Sequence, residues 1–305
     1  MSMRITQSMI TNGTQRSINN SYNRMANLQN QLSTGRVINK PSDNPFGAVK
    51  AMQYREQLAE VDRLKANTGV AEKWLSMADS TMSSMNDRIL RVRDIVMQAS
   101  NSTASLDSRK QFATELREIK ETLGALANTT VDGKYIFGGA NTAQAPFDPS
   151  DPLGPIVNTD LGQLETEIAP GSQIGINIPA VDLFSRSEID GQPGGLFATI
   201  DNLIQDLEDS TKTSADLSAH LTHVDFQHQN LLEQQAIVGA RSLRVEQAID
   251  RLDNRELEVT KFLSKNEDAD YAKVITELST QETAHNAALA VGARMLQQTL
   301  VDFLR

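Results

Sequence analysis

The side chains best suited to chemistry in this 305-residue chain are few and scattered. Cysteine is absent, which removes thiol nucleophiles, Cys-ligated zinc and disulfides together. Three of the four histidines, His220, His223 and His228, fall in one helical stretch. His220 and His223 stand i,i+3 and could share a metal ion with Asp216, one turn earlier, as third ligand. The competing reading is a partly exposed helix face. His285 falls on an apolar seam, where protonation would loosen the packing. Gly138-Gly139 lacks the following helix and Lys of a phosphate cradle, so it reads as a hairpin turn. No His-Glu-x-x-His or Gly-x-Ser-x-Gly occurs. The middle of the chain offers carboxylates, among them Asp148, Asp151 and Glu165, but no His beside them. The reading is no enzyme, no cofactor and no metal.

Other functions are excluded by charge. The net charge is −10 and no Lys/Arg run exists, which argues against nucleic acid and anionic membrane surfaces. Arg88, Arg91 and Arg93 interleave with Ile89, Leu90 and Val92, as on a solvated helix face. No run of about 20 apolar residues is present, so no membrane insertion is expected. Met1 to Gln7 has no apolar core of a Sec-type signal.

What remains is a scaffold, and its pattern is a heptad. Aromatics are only 5% of the chain, so long aliphatic seams are favoured over one globular centre. From Ala71 the apolar positions step by 4 and 3 through Leu75, Ala78, Met82, Met85, Ile89, Val92, Val96 and Ala99. That period of 3.5 is a coiled-coil seam. Trp74, beside Leu75, reads as an anchor between helices. Asn101-Ser102-Thr103 breaks the seam, and Ser105 or Asp107 can cap a restart through Phe112, Leu116, Ile119, Leu123 and Leu126. The second arm places Leu217, Val224, Leu231, Val238, Val245, Leu252 and Val259 at every seventh position. Its companion column, from Leu221 through His228, Gln235, Ser242, Ile249 and Glu256 to Leu263, is mixed. These polar positions either fix register or face solvent at a bundle edge. Residues 217–263 as one helix would extend ~70 Å.

The phase slips near Lys265 to Asp268, and a further run follows through Tyr271, Ile275, Leu278, Glu282, His285, Leu289, Gly292, Leu296, Thr299 and Phe303. A weaker match at the start uses Ile18, Tyr22, Met25, Leu28 and Leu32. The first segment's five, with Ile275, Leu278, His285, Leu289, Leu296 and Phe303, form the expected assembly interface. Isolated helices of this kind are marginal in water, so both ends are expected to order only on assembly.

Residues 133–195 are a different material, holding seven of the nine prolines and ten of the 17 glycines. Lys134 to Phe137 reads as a short strand between glycine turns. Gln173 to Pro179 alternates as a second strand, and Ile168, Val181, Leu183 and Phe184 could complete a small β core. Leu196, Ile200, Leu203, Ile204 and Leu207 return to helical spacing. The fold class expected is mainly α: a long coiled-coil bundle of N- and C-terminal arms with a small inserted β domain.

Three stretches resemble the bacterial flagellin family. The first runs Leu32-Ser33-Thr34-Gly35-Arg36-Val37-Ile38-Asn39-Lys40-Pro41-Ser42-Asp43-Asn44-Pro45-Phe46-Gly47-Ala48, where a helix ends near Thr34-Gly35 and Asn44 caps a new one with Pro45 at its first position. The second is Asp132-Gly133-Lys134-Tyr135-Ile136-Phe137-Gly138-Gly139. The third is the opening Met3-Arg4-Ile5-Thr6. The Pro-Ser-Asp-x-Pro form is similar to family members of the hook–filament junction rather than to flagellin proper. Asn177 to Val181 resembles an Asn-x-Pro-Gly turn with Ala180 at the glycine position.

The resemblance implies a structural axial protein, secreted through the flagellar type III export apparatus and located outside the cell at the hook–filament junction. Its implied partners are flagellin, hook-associated protein 1, copies of itself in a ring and an export chaperone. It also implies an organisation into an inner-tube helix and linker (1–44), two halves of a helical rod (45–132 and 196–265), an outward insert (133–195) and a second inner-tube helix (266–305). The alternatives are a short flagellin that forms the filament itself and, from another class, a cytoplasmic helical signalling protein.

Overall fold

The computed structural model describes residues 7–101, 105–148, 156, 161–185 and 195–303; the side chains of residues 7, 8, 10, 11 and 294–303 lie outside that description. Seven helices and four strands occur among the described residues. They are α1 (Gln7–Thr34), α2 (Pro45–Ala99), α3 (Leu106–Ala127), β1 (Thr130–Val131), β2 (Lys134–Tyr135), β3 (Glu165–Ala169), β4 (Ser172–Gly175), α4 (Ala180–Phe184), α5 (Leu196–Glu208), α6 (Ser214–Glu267) and α7 (Tyr271–Phe303). The chain divides into two compact units, one of Met1–Glu60 with Arg255–Arg305 and one of Val61–Asn254, so α2 and α6 each contribute to both.

In the unit of residues 61–254, α2 and α6 carry the heptads into the core. All nine seam residues from Ala71 to Ala99 are buried, and so are Leu217, Val224, Leu231, Val238, Val245 and Leu252. The companion column of α6 is half-buried from Leu221 through Ile249, which settles it at the bundle edge. His228 Nε2 meets Asn86 Oδ1 at 2.7 Å there, and Gln235 donates to Asp79 at 3.1 Å. Trp74 is buried in the same core. Ser105 caps α3 by accepting from the Ser108 amide, and α3 lies along α5 with Lys120 paired to Asp201 at 2.6 Å.

Among the described residues, the middle of the chain carries two small antiparallel hairpins, β1–β2 and β3–β4, followed by α4. Asp132 (φ 51°) and Gly133 (φ 76°) form the two-residue turn between β1 and β2, and left-handed backbone at both positions favours an Asp-Gly pair. The second strand is shorter than its alternation suggests, ending at Gly175. Pro179 cannot donate to a ladder and instead precedes α4, so Val181, Leu183 and Phe184 are helical rather than extended. Phe184 still joins the core, its ring 5.4 Å from Phe197, which in turn lies 4.6 Å from Phe147.

Asn177 ties this insert together. It is buried, its Oδ1 accepts from the Leu164 amide at 2.7 Å, and its Nδ2 donates to the Gly139 carbonyl at 2.7 Å. Arg241 of α6 donates to the Asn177 carbonyl and to Gln163 Oε1, at 3.0 and 3.1 Å. Burial lowers the Arg241 pKa, and repulsion from Arg244 adds to it. Asn177→Ala leaves a buried amide and carbonyl unmatched and is expected to cost about 3 kcal/mol. Chemical denaturation of the full chain measures it, with Arg241→Met expected to give a smaller loss in the same assay.

Candidate assembly interface

The two end helices, α1 and α7, pair with each other in one chain. They run antiparallel: Gln281 donates to Ser21 Oγ at 2.7 Å, while Gly292 lies against Ile18 and Thr14. Each end helix thus has the other as its neighbour within one chain. The buried face is itself a heptad. On α7 it runs Val274, Leu278, Gln281, His285, Ala288 and Gly292, and on α1 Thr14, Ile18, Ser21, Met25, Leu28 and Leu32, all buried or half-buried.

Six of the eleven expected interface residues therefore lie in this seam: Ile18, Met25, Leu28, Leu32, Leu278 and His285. The other described members face outward. Tyr22 is 59% exposed, Ile275 56% and Leu289 45%. The side chains of Leu296 and Phe303 lie outside the described residues. The seam mixes Ile, Leu, Met and Val with Ser21, Gln281, Ala288 and Gly292, while the large apolar Tyr22, Ile275 and Leu289 stay outside it. The His285 ring lies 6.4 Å from that of Tyr22, and its Nδ1 is buried without a hydrogen-bond partner. The proposed metal trio does not form. His220 meets Asp206 at 2.9 Å, Asp216 accepts from the Thr213 amide, and no group of three metal-binding side chains exists among the described residues.

The signature stretch builds the crossing between α1 and α2. Gly35 (φ 71°) ends α1, and a side chain there would press on the Tyr271 hydroxyl. Asp43 accepts from the Asn39 and Lys40 amides, and Asn44 Oδ1 accepts from the Gly47 amide at 3.0 Å to cap α2 ahead of Pro45. Leu32 is half-buried, whereas Ser33, Pro41 and Ser42 are exposed. In the second signature, Tyr135 is half-buried, Phe137 is fully buried, a side chain at Gly138 would meet the Asn141 carbonyl, and Gly139 takes φ 62°.

Glu267, the last residue of α6, is the group that sequence reasoning missed. Only 3% of its side chain is exposed, and it pairs with Arg36 Nε at 3.2 Å and with Arg55 of α2. Around it the backbone is stitched: the Val37 amide donates to the Glu267 carbonyl at 2.7 Å, and the Ala269 amide to the Gly35 carbonyl at 2.8 Å. Asn266 adds a bond to the Gly47 carbonyl at 2.8 Å. The phase slip at Lys265 to Asp268 marked the place; nothing in spacing marked the carboxylate. Replacing both Arg36 and Arg55 with Met strands a buried carboxylate and should cost about 3 to 5 kcal/mol. Glu267→Gln should cost less and should speed hydrogen exchange at the Val37 and Ala269 amides, which NMR reads directly.

Comparison with known proteins agrees with this architecture. Residues 5–142 match the bacterial flagellin N-terminal helical region, and residues 221–304 the bacterial flagellin C-terminal helical region. The flagellar hook-associated protein 3 of Escherichia coli is 26% identical over 94% of this chain and 95% of its own length. That of Salmonella typhimurium is 33% identical over 48% of this chain, a match spanning only 46% of the relative. Flagellins match over comparable lengths. A solved flagellar hook-associated protein structure from Vibrio parahaemolyticus shares the fold with TM-score 0.68 at 21% identity, covering 74% of this chain and all of that one. With both family regions present, and the helices that each describes paired as above, this chain is a member of the bacterial flagellin family.

Proposed function

We propose that the chain is a structural axial protein of the bacterial flagellum, forming the layer that joins the hook, through hook-associated protein 1, to the flagellin filament. The observation that carries this reading is the end-to-end match to a relative named flagellar hook-associated protein 3. The exposed apolar face of α1 and α7 supplies a physical basis. Tyr22, Ile275 and Leu289 have no reason to face water in an isolated chain, and burying each would contribute about 1.5–3 kcal/mol. On this reading the terminal helices face the inner tube and contact copies of the chain in a ring. The 133–195 insert faces outward, and the protein leaves the cell by type III export with a chaperone holding it beforehand. The absence of cysteine suits passage in an unfolded form.

A short flagellin is the second reading, favoured by flagellin matches over 91% of the chain. The two separate cleanly. Cells lacking this chain should build hooks and release flagellin into the medium, and the pure protein should not grow into long tubes under the electron microscope. Attached filaments on such cells would refute the junction role, and long tubes would select the flagellin reading. Ile275→Asp with Leu289→Asp should abolish filament attachment while leaving the far-ultraviolet circular dichroism of the free chain unchanged.

A further inference from the structure

Three mid-helix glycines have open space inside their own chain. Gly239 lies in the interior of α6, where glycine is less favourable than alanine, yet a Cβ built there meets nothing within 4 Å. The same holds for Gly13 of α1 and Gly69 of α2. Gly239 borders a cleft of about 550 Å³ between α2 and α6. Leu243, 60% exposed, lines that cleft, and Val245 is buried beneath it. Ser76 and Ser242 lie beside them, and Glu72, Asp79 and Glu246, all exposed, complete the lining. The cleft thus offers the apolar Leu243 and Val245 among two serines, with three carboxylates around them.

The chain also carries the matching shape. The first turns of α2 project Phe46, 71% exposed, and Val49, 55% exposed. Lys50 sits on the same face, its Nζ 4.7 Å above the centre of the Phe46 ring. An aromatic knob wrapped by an ammonium group is the complement of a notch that exposes Leu243 and is rimmed by carboxylates. Glycine at position 239 then has a reason, as clearance for a ring that arrives from outside.

We propose that the Phe46–Lys50 face of one copy seats in the Gly239–Leu243 cleft of a second copy, with the ring against Leu243 and the ammonium among Glu72, Asp79 and Glu246. Knob and cleft are different patches, so the contact is heterologous and passes from copy to copy instead of closing as a two-fold dimer. This rests on the reading of the chain as a self-associating axial protein and assigns the faces that such a layer uses.

The cysteine-free sequence makes the test direct. Val49→Cys and Ser242→Cys, which leave the Phe46 ring and Leu243 in place, are made in separate copies, mixed, and oxidised, so that the bond can form only between chains. The mixed species should dominate over either same-variant pair. Lys50→Glu in the Val49→Cys copy should lower its yield by about tenfold, and Glu246→Lys in the other copy should restore it. Gly239→Leu should block the bond while helicity and melting remain those of the parent. Equal yields of all pairings, insensitivity to Lys50 and Gly239, or bonding of the Val49→Cys copy to another axial protein in place of Ser242→Cys would each overturn the contact. Failure here with filaments still dependent on the chain removes only this contact; attached filaments on cells lacking the chain remove the junction reading instead.

Discussion

A helix that packs through a seam of period 3.5 buries about two residues in seven and leaves the rest of its circumference to whatever else approaches. That constraint governs the whole molecule. The solid column of α6, from Leu217 to Val259, is buried against the matching residues of α2, and its companion column is only half-covered. Between α1 and α7 the seam is thinner still, with Ser21, Gln281, His285 and Gly292 among its members. Large apolar groups such as Ile275 and Leu289 stay outside. In a protein built to stand alone this would be a defect. In one built to join a layer, the spare faces are where joining happens, and a weak internal seam lets the ends adjust to a neighbour.

Such helices need something to fix where the chain crosses from one to the next, and Glu267 supplies it. A carboxylate this deeply buried needs partners, and here Arg36 and Arg55 both come from more than 200 residues earlier in the chain. The pairing positions the Gly35–Ala269 and Val37–Glu267 backbone bonds at the point where α1 ends and α7 begins. The signature residues around it have the same task by other means: Gly35 turns the chain beneath Tyr271, and Asp43 and Asn44 satisfy the amides that precede α2. The stretch that identifies the family is thus a crossing, held by one buried charge and several caps.

The long seams were legible because spacing alone encodes them. Each seam residue from Ala71 to Ala99, and each seventh residue from Leu217, is buried as its period requires. The end helices were less legible. Val274, Gln281 and Ala288 replace Ile275, Glu282 and Leu289 in the seam, since a partner with Thr14 and Ser21 accepts small and polar groups that a hydrophobicity pattern passes over. Spacing showed two marginal end helices that would order together, but not that α1 and α7 pair inside one chain. Glu267 was invisible for a different reason. Its role depends on two arginines brought to it by the fold, and no spacing in sequence connects position 267 with 36 and 55. The insert shows a third kind of failure, where Pro179 turned an alternating segment from ladder to helix start.

The account stands most directly on how α1 and α7 use their two faces. Cysteines introduced at Ser21 and Gln281, and separately at Ile275 and Leu289, can be oxidised in the free protein and in assembled flagella, since no native cysteine interferes. The account predicts that positions 21 and 281 join within one chain in both states, whereas positions 275 and 289 join to neighbouring subunits only after assembly. A bond between 21 and 281 that appears only on assembly, or outward positions that remain unlinked in the flagellum, would contradict it.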